Sequence, residues 1–216
     1  MGSITRSFAN NITTSGVLLP ASLTNNSIAN VTAYNASVTT GGMVLISSQT
    51  ASNSATVSFT TGIDSTYKEY QFWFINIMPR GGGNLKFFFN GSTDGGSNYN
   101  VTKTSTYFRA YLFEDNTGAI NDYQTADDLA QSTAFQEILR DSGSNSDECQ
   151  NGFLTIYNPA STTFVKHFAG EGISTAEGAL NNYVAGYMNT TSAVNAFQFK
   201  MSSGNFDGTI LMYGIK

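Results

Sequence analysis

The feature that most constrains this chain is one long apolar stretch, Glu69–Pro79, with the sequence EYQFWFINIMP. Successive side chains of an extended strand point to opposite faces of the sheet. The stretch therefore places apolar side chains on both faces: Tyr70, Phe72 and Phe74 on one, and Trp73, Ile75 and Ile77 on the other. A strand that is apolar on both faces is typical of the middle of a covered sheet. The sequence thus predicts a central strand in which Trp73 is buried.

The rest of the chain also favours β structure, because short apolar segments alternate with turns rich in Gly, Asn and Ser. The further predicted strands are residues 44–46, 55–59, 85–89, 106–113, 135–139, 152–158, 162–169, 182–188, 196–201 and 209–215. We expect the first two to form a hairpin around a turn at 51–54, and 162–169 to pair with 152–158. About ten short strands with little helix predict an all-β fold, a two-sheet β-sandwich with jelly-roll topology.

One short helix is expected within residues 114–151, the least strand-like part of the chain and the part with most of the acidic residues. Thr125 suits the N-cap position, and Asp128 three residues later could return a hydrogen bond in the manner of a capping box. The pattern predicts a helix of one or two turns over residues 125–131.

The N-terminal residues 1–42 differ in composition from the rest. After Arg6 no charged residue occurs before Asp64, and small apolar groups are separated by Asn, Ser and Thr. A disordered tail is one interpretation, but such tails are usually charged. An extended arm that becomes ordered against another subunit fits better, because a buried charge would be costly there. We therefore expect an assembly arm at 1–42 and a β-sandwich domain at 43–216.

Composition excludes several classes of partner. The net charge is −5 and no cluster of Lys or Arg opposes it, so nucleic acid is not an expected partner. A single cysteine excludes an internal disulfide framework. No segment resembles a signal peptide, and no apolar run is long enough to insert in a membrane, which predicts synthesis in a cytoplasm.

The single histidine and the single cysteine are candidate reactive groups, and neither has a supporting pattern. His167 follows Lys166 in a predicted strand, with no signature of a nucleophile or an orienting carboxylate. Cys149 lies beside Asp147 and Glu148, whose negative charges disfavour a reactive thiolate. Both residues are predicted to be structural.

Paired carboxylates are the other candidates, since glycan-cleaving enzymes need only two at a suitable separation. The pairs are Glu114-Asp115, Asp127-Asp128 and Asp147-Glu148. Neighbours on a strand point to opposite faces, so no pair forms a ready acid–base couple. A calcium site at Asp94, or at Asp127 and Asp128, stays open, although the spaced D-x-D pattern is missing. No catalytic, cofactor-binding or metal-binding residue is assigned, and the chain is predicted not to be an enzyme.

Several stretches resemble virion proteins of tailed phages, marine ones above all. The chain ends in GTILMYGIK (208–216), similar to the G-T-I-x-L-Y-G-I-K end of those proteins. The other stretches are IDSTYKEY (63–70), FINIMP (74–79), GGSNYN (95–100), DLAQS (128–132), YNPASTT (157–163) and NTTSAVNA (189–196). The resemblance covers most of residues 44–216. Met78 departs from the resemblance, because a histidine is expected at this position. If that histidine binds a metal in the phage proteins, this chain lacks that function.

The resemblance implies a structural role in the virion and carries no catalytic motif. The first hypothesis is a capsid decoration or head-fibre subunit that contacts other virion proteins through residues 1–42. The second is a tail fibre or receptor-binding module that recognises host surface glycans, with Tyr99, Tyr123 and Tyr187 as candidate contacts. The third, a small depolymerase, is less favoured because such enzymes usually need a longer groove and a larger chain.

A homotrimer is the expected assembly. Residues 23–32 (LTNNSIANVT) resemble segments of phage fibre-like proteins, which are commonly trimeric. The resemblance also implies that the chain is made in the host cytoplasm and ends up in the virion.

Overall fold

A computed structural model describes residues 42–216, which form twelve β-strands and no helix. The strands are β1 Met43–Ser54, β2 Val57–Phe59, β3 Glu69–Pro79, β4 Leu85–Ser92, β5 Lys103–Phe113, β6 Ala119–Tyr123, β7 Gln136–Ser142, β8 Gln150–Tyr157, β9 Lys166–Thr175, β10 Gly178–Met188, β11 Ala196–Met201 and β12 Phe206–Ile215. No helix in this part of the chain is long and apolar enough to cross a membrane. The predicted arm lies, apart from Gly42, outside the described residues.

The strands form two antiparallel sheets. The large sheet has eight strands in the order β1-β12-β3-β8-β9-β10-β5-β6, and the small sheet has four in the order β2-β11-β4-β7. Buried side chains of both sheets form one hydrophobic cluster, so the sheets pack face to face. The predicted all-β sandwich is confirmed.

Eight of the strands pair in the nested scheme of a jelly roll. The first strand pairs with the last, β1 with β12, and the following pairs are β2 with β11, β3 with β8 and β4 with β7. The remaining strands are two hairpins. β5 and β6 lie in the chain between β4 and β7, and β9 and β10 lie between β8 and β11. Both hairpins extend the large sheet beyond β8.

Aromatic side chains from β3 and from the small sheet make the centre of the core. The ring of Phe72 lies 5.1 Å from that of Phe199, 5.4 Å from Phe197 and 5.3 Å from Phe59, measured between centroids. Phe74 meets Phe87 edge to face at 5.3 Å. Such tilted and T-shaped contacts are the favoured geometry of aromatic pairs.

The prediction that β3 is covered on both faces is wrong. Trp73 is 42% exposed and Ile75 is 38% exposed, because the small sheet packs against only the inner face of β3. Ile77 is buried because the strand changes phase just before it. Asn76 has a φ of 51°, and the pairing with β8 shifts between Phe74 and Ile77.

The predicted hairpin of residues 44–46 and 55–59 is also wrong. β1 runs on to Ser54 and pairs with β12, while β2 belongs to the small sheet and pairs with β11. The chain crosses from one sheet to the other between them, as the jelly-roll order requires. By contrast, the predicted antiparallel pairing of 152–158 with 162–169 is confirmed by β8 and β9.

The helix predicted over residues 125–131 is absent, and a single turn takes its place, in which the amide of Asp127 donates to the carbonyl of Gln124 at 3.0 Å. Asp128 does not close a capping box, because its carboxylate accepts the amide hydrogen of Tyr107 at 2.8 Å. The chain then continues beside β5, where the amide of Ser105 donates to the carbonyl of Leu129 at 2.9 Å.

Truncating the two faces of β3 should have very different consequences. Phe72→Ala should lower the free energy of unfolding by about 3–5 kcal/mol, because it leaves a cavity among aromatic rings. Trp73→Ala should lower it by about 1 kcal/mol or less, because the indole is half exposed. Urea unfolding of both variants checks this. A cost for Trp73→Ala as large as that for Phe72→Ala would show that the outer face is covered.

Candidate functional site

The outer face of the large sheet, the face turned away from the small sheet, is the most unusual surface of the described residues. Directly paired residues share a face, and the pairing places most of the exposed large apolar side chains here. They are Met43, Leu45, Trp73, Ile75, Phe108, Leu112, Tyr123, Tyr157 and Ile173. Exposed apolar side chains that are gathered on one face, and not scattered singly, are typical of an interaction site.

Six of the outer-face residues form a continuous cross-strand row. Each is the direct partner of the next, in the order Trp73, Phe153, Glu171, Tyr183, Phe108 and Tyr123. The row therefore runs perpendicular to the strands, from β3 to β6. Five of its six members are aromatic, and the rings of Phe108 and Tyr183 stack in parallel, with centroids 4.7 Å apart and planes 14° apart.

A trough runs beside this row. Its floor consists of the next paired residues along the same strands, Thr155, Ala169, Ala185 and Thr106. Because these side chains are small, the surface sinks between the cross-strand row and a second wall formed by Tyr157, His167 and Tyr187. Two depressions of about 310 and 370 Å³ lie along the trough and meet at Ala185.

The tryptophan at one end of the row is held in place by hydrogen bonds. The indole N–H of Trp73 donates to Oε1 of Gln71 at 2.7 Å, and Nε2 of Gln71 donates to the hydroxyl of Thr155 at 3.1 Å. This chain links the exposed ring to the trough floor. An exposed ring with a fixed orientation loses little conformational entropy when a ligand stacks on it.

A second, polar cluster lies on the inner side of the large sheet, where β4, β7 and the β5–β6 hairpin meet. Nζ of Lys86 contacts the carboxylate of Asp127 and lies 2.6 Å from Oε2 of Glu137. Nη1 of Arg140 lies 2.6 Å from Oδ2 of Asp127, and Arg109 joins the network through Asp141 at 3.0 Å. This is the densest group of ionisable side chains among the described residues.

Burial separates the titration of the two carboxyl groups in this ion-pair network. Burial raises the pKa of Glu137 to about 8, although Lys86 lies against it. The pKa of Asp127 stays below its usual value because Lys86 and Arg140 outweigh its own burial. The side chains of Glu137 and Asp127 are only 2% and 6% exposed. Both groups are shielded from solvent, so the network offers no accessible acid–base couple.

Two buried lysines also serve the fold. Nζ of Lys103 donates to Oδ1 of Asn90 at 2.6 Å and to the carbonyl of Val101 at 2.7 Å, and burial lowers the pKa of Lys103 to about 7. Nζ of Lys166 donates to the carbonyls of Phe164 and Thr190, at 2.9 and 3.0 Å. Each lysine therefore binds loop carbonyls at the same end of the large sheet.

His167 and Cys149, the two candidate reactive residues predicted from the sequence, lie in different surroundings. His167 is exposed on the outer face, opposite Tyr187, and forms part of the trough wall. Cys149 is half-buried beside Asn151, whose Nδ2 lies 3.2 Å from its sulfur. Among the described residues, no group of three or more His, Cys, Asp or Glu side chains is arranged to hold a metal ion.

The acidic pairs do not act together either. Asp127 and Asp128 turn to different partners, Lys86 and the amide of Tyr107. The side chain of Asp115 is taken up by Thr117 within its own turn. Asp94 is exposed, and hydrogen bonds from Ser92 and Asn98 lower the pKa of its carboxyl group to about 2. A local turn, with no ligand, accounts for its contacts.

Of the tyrosines predicted to contact glycans, Tyr123 and Tyr187 lie on the outer face, whereas Tyr99 lies in the loop between β4 and β5. The sequence did not point to Trp73, Phe108, Phe153, Glu171 and Tyr183 as residues of an exposed site. Their period-two spacing was visible, but which face is open depends on the order of strands in the sheet.

Comparison with known proteins gives no match: no family model, no curated protein and no solved structure is significantly similar to this chain.

The raised pKa of Glu137 predicts how stability changes with pH. The folded state holds this proton up to about pH 8, whereas the unfolded chain releases it near pH 4.5. The stabilising contribution is therefore complete below about pH 4.5 and is lost as the pH rises towards 8. Between pH 5.5 and 7 the free energy of unfolding should fall by about 2 kcal/mol, and Glu137→Gln should remove most of this fall.

Urea unfolding at several pH values provides the measurement. Lys103, whose pKa is about 7 in the folded state, is half deprotonated at pH 7 and offsets this fall by only about 0.4 kcal/mol. Glu114→Gln, at an exposed position, is the matched control and should keep the wild-type slope. A wild-type stability that stays level or rises from pH 5.5 to 7 would contradict the assignment.

Proposed function

We propose that this protein is a non-enzymatic structural protein of a tailed-phage virion, a capsid decoration or head-fibre subunit. The observation that carries the proposal is the nested jelly-roll pairing of eight strands, an architecture that viral capsid proteins use. The sequence resemblance to phage virion proteins points in the same direction. On this proposal the chain is made in the host cytoplasm and functions in the particle.

The arrangement of polar groups supports a binding role over a catalytic one. The carboxyl groups of Asp127 and Glu137, which both contact Lys86, are buried, and Asp127 also pairs with Arg140. The outer face of the large sheet, by contrast, is accessible and carries an ordered row of aromatic side chains. The trough in this face is lined by one carboxylate, Glu171, whereas glycan cleavage usually needs two, so the rings and small residues suit recognition better.

Residues 1–42 are proposed to anchor the sandwich to other virion proteins and to hold three copies of the chain together as a homotrimer. Support comes from their composition, because scattered apolar residues with no charge after Arg6 suit an interface in which a buried charge would be costly. The exposed sandwich would then project from the particle.

A second candidate function, a tail-fibre or receptor-binding module for host surface glycans, is favoured by one observation. Jelly rolls also form lectin domains, and the cross-strand row places aromatic rings along an open trough. Decoration and receptor binding differ in where the chain lies on the particle.

Cryo-electron microscopy and quantitative mass spectrometry of purified particles should find the chain as a regular component of the virion. Density for the sandwich on the head would establish the decoration or head-fibre role, and density at the tail tip would establish the receptor-binding role. Failure to detect the chain in intact particles would contradict both.

Deleting residues 1–42 should leave a folded sandwich that no longer forms trimers and no longer joins the particle. Light scattering should report a trimer for the full chain and a monomer for the truncated one. A full-length monomer, or normal incorporation of the truncated protein, would contradict the anchoring role.

A further inference from the structure

We infer that the trough on the outer face of the large sheet binds an extended, neutral oligosaccharide that crosses the strands. This inference rests on the second candidate function, glycan recognition, and assigns to it a site and a ligand class. It differs from the sequence-based expectation, which named Tyr99, Tyr123 and Tyr187, in placing the site on the face of the sheet, where Tyr187 is the one of the three that lines the trough.

The aromatic side chains supply surfaces for the apolar faces of sugar rings. Trp73 and Phe108 are 42% and 44% exposed and lie on opposite sides of the trough's middle strands, β9 and β10. Tyr183 stacks on Phe108, which extends that surface towards the centre. Aromatic rings bury large areas with few rotatable bonds, so they suit a ligand that presents flat apolar patches.

Polar groups lie where sugar hydroxyls would need partners. The carboxylate of Glu171 stands in the middle of the cross-strand row, between Phe153 and Tyr183. The opposite wall carries the imidazole of His167 and the hydroxyl of Tyr187. A mainly apolar depression with a few convergent polar groups is the usual form of a small-ligand site.

The shape of the trough selects an extended chain. It crosses β8, β9, β10 and β5, and neighbouring strands lie about 4.8 Å apart, so these four strands span about 14 Å. That length accommodates several sugar rings. The trough lies open on the surface of the sheet, so an internal segment of a polysaccharide can enter it and no free chain end is required.

Charge and hydrogen bonding disfavour the other long ligands. Single-stranded nucleic acid also stacks on aromatic rings, but it needs a positively charged groove, and the charged residue in the cross-strand row is Glu171. A proline-rich peptide docks in aromatic grooves, but the indole N–H of Trp73, a natural donor to a peptide carbonyl, is already bonded to Gln71. A second copy of the chain seated on this face would bury the carboxylate of Glu171, which is costly.

The test is calorimetric titration of the full-length protein with neutral linear hexasaccharides, namely cellohexaose, xylohexaose and mannohexaose, alongside an array of neutral glycans. At least one should bind, and its affinity should change little with salt because the ligand is uncharged. A homogalacturonan hexasaccharide, which is anionic, should bind more weakly because of Glu171.

Variants locate the site. Tyr183→Ala and Phe108→Ala should each weaken binding about tenfold or more, as loss of a central aromatic contact usually does. Ile173→Ala is the matched control: Ile173 is 54% exposed on the same face but lies outside the row and the trough, so its affinity should stay within about twofold of wild type. Circular dichroism and light scattering should show that all three variants keep the fold and the mass of the wild type.

Four results would overturn the inference. They are no binding to any neutral glycan at millimolar concentration, full binding by Tyr183→Ala, selective binding of peptides from a proline-rich library to the same face, and a change in the mass of the assembly when Tyr183 is truncated. The virion proposal is tested separately, because Tyr183→Ala should leave incorporation into particles unchanged.

Discussion

The contact between the inner face of β3 and the small sheet is the interaction on which the rest of the structure depends. Phe72 and Phe74 pack against Phe199 at centroid distances of 5.1 and 5.3 Å, and this cluster fixes which side of the large sheet faces the core. Because Phe72 and Phe74 point into the core, the side chain between them in the sequence must point outwards. The exposed Trp73 is thus a direct consequence of the buried Phe72.

The unequal sizes of the two sheets explain why the two ends of the molecule differ. The large sheet continues through β10, β5 and β6, and the apolar core reaches β10 and β5 through Val184, Met188 and Tyr107. There the inner face carries polar groups, such as the hydroxyl of Tyr107, which donates to Oδ1 of Asn182 at 2.6 Å. The ion-pair network of Lys86, Asp127, Glu137 and Arg140 occupies the same region. On the outer face, the same extension supplies the strands that carry the trough.

The sequence predicted the fold class well and the candidate site poorly. Period-two patterns identified most strands, and the antiparallel β8–β9 pair followed from a short turn between apolar segments. Trp73 was misplaced because an apolar outer face looks the same in sequence whether it is covered or open. The hairpin of β1 and β2 and the helix at 125–131 failed for a related reason. Long-range contacts, β1 with β12 and Asp128 with Tyr107, overrode plausible local patterns. The cross-strand row unites residues more than a hundred positions apart.

The central claim is that the outer face of the large sheet is open in the native protein, and the single tryptophan reports on it directly. Steady-state fluorescence with acrylamide quenching of the full-length protein is the measurement. The account predicts an emission maximum typical of a solvent-exposed indole and efficient quenching, which a bound oligosaccharide reduces. A blue-shifted emission that acrylamide does not quench would mean that this face is covered in the native protein, and would contradict the account.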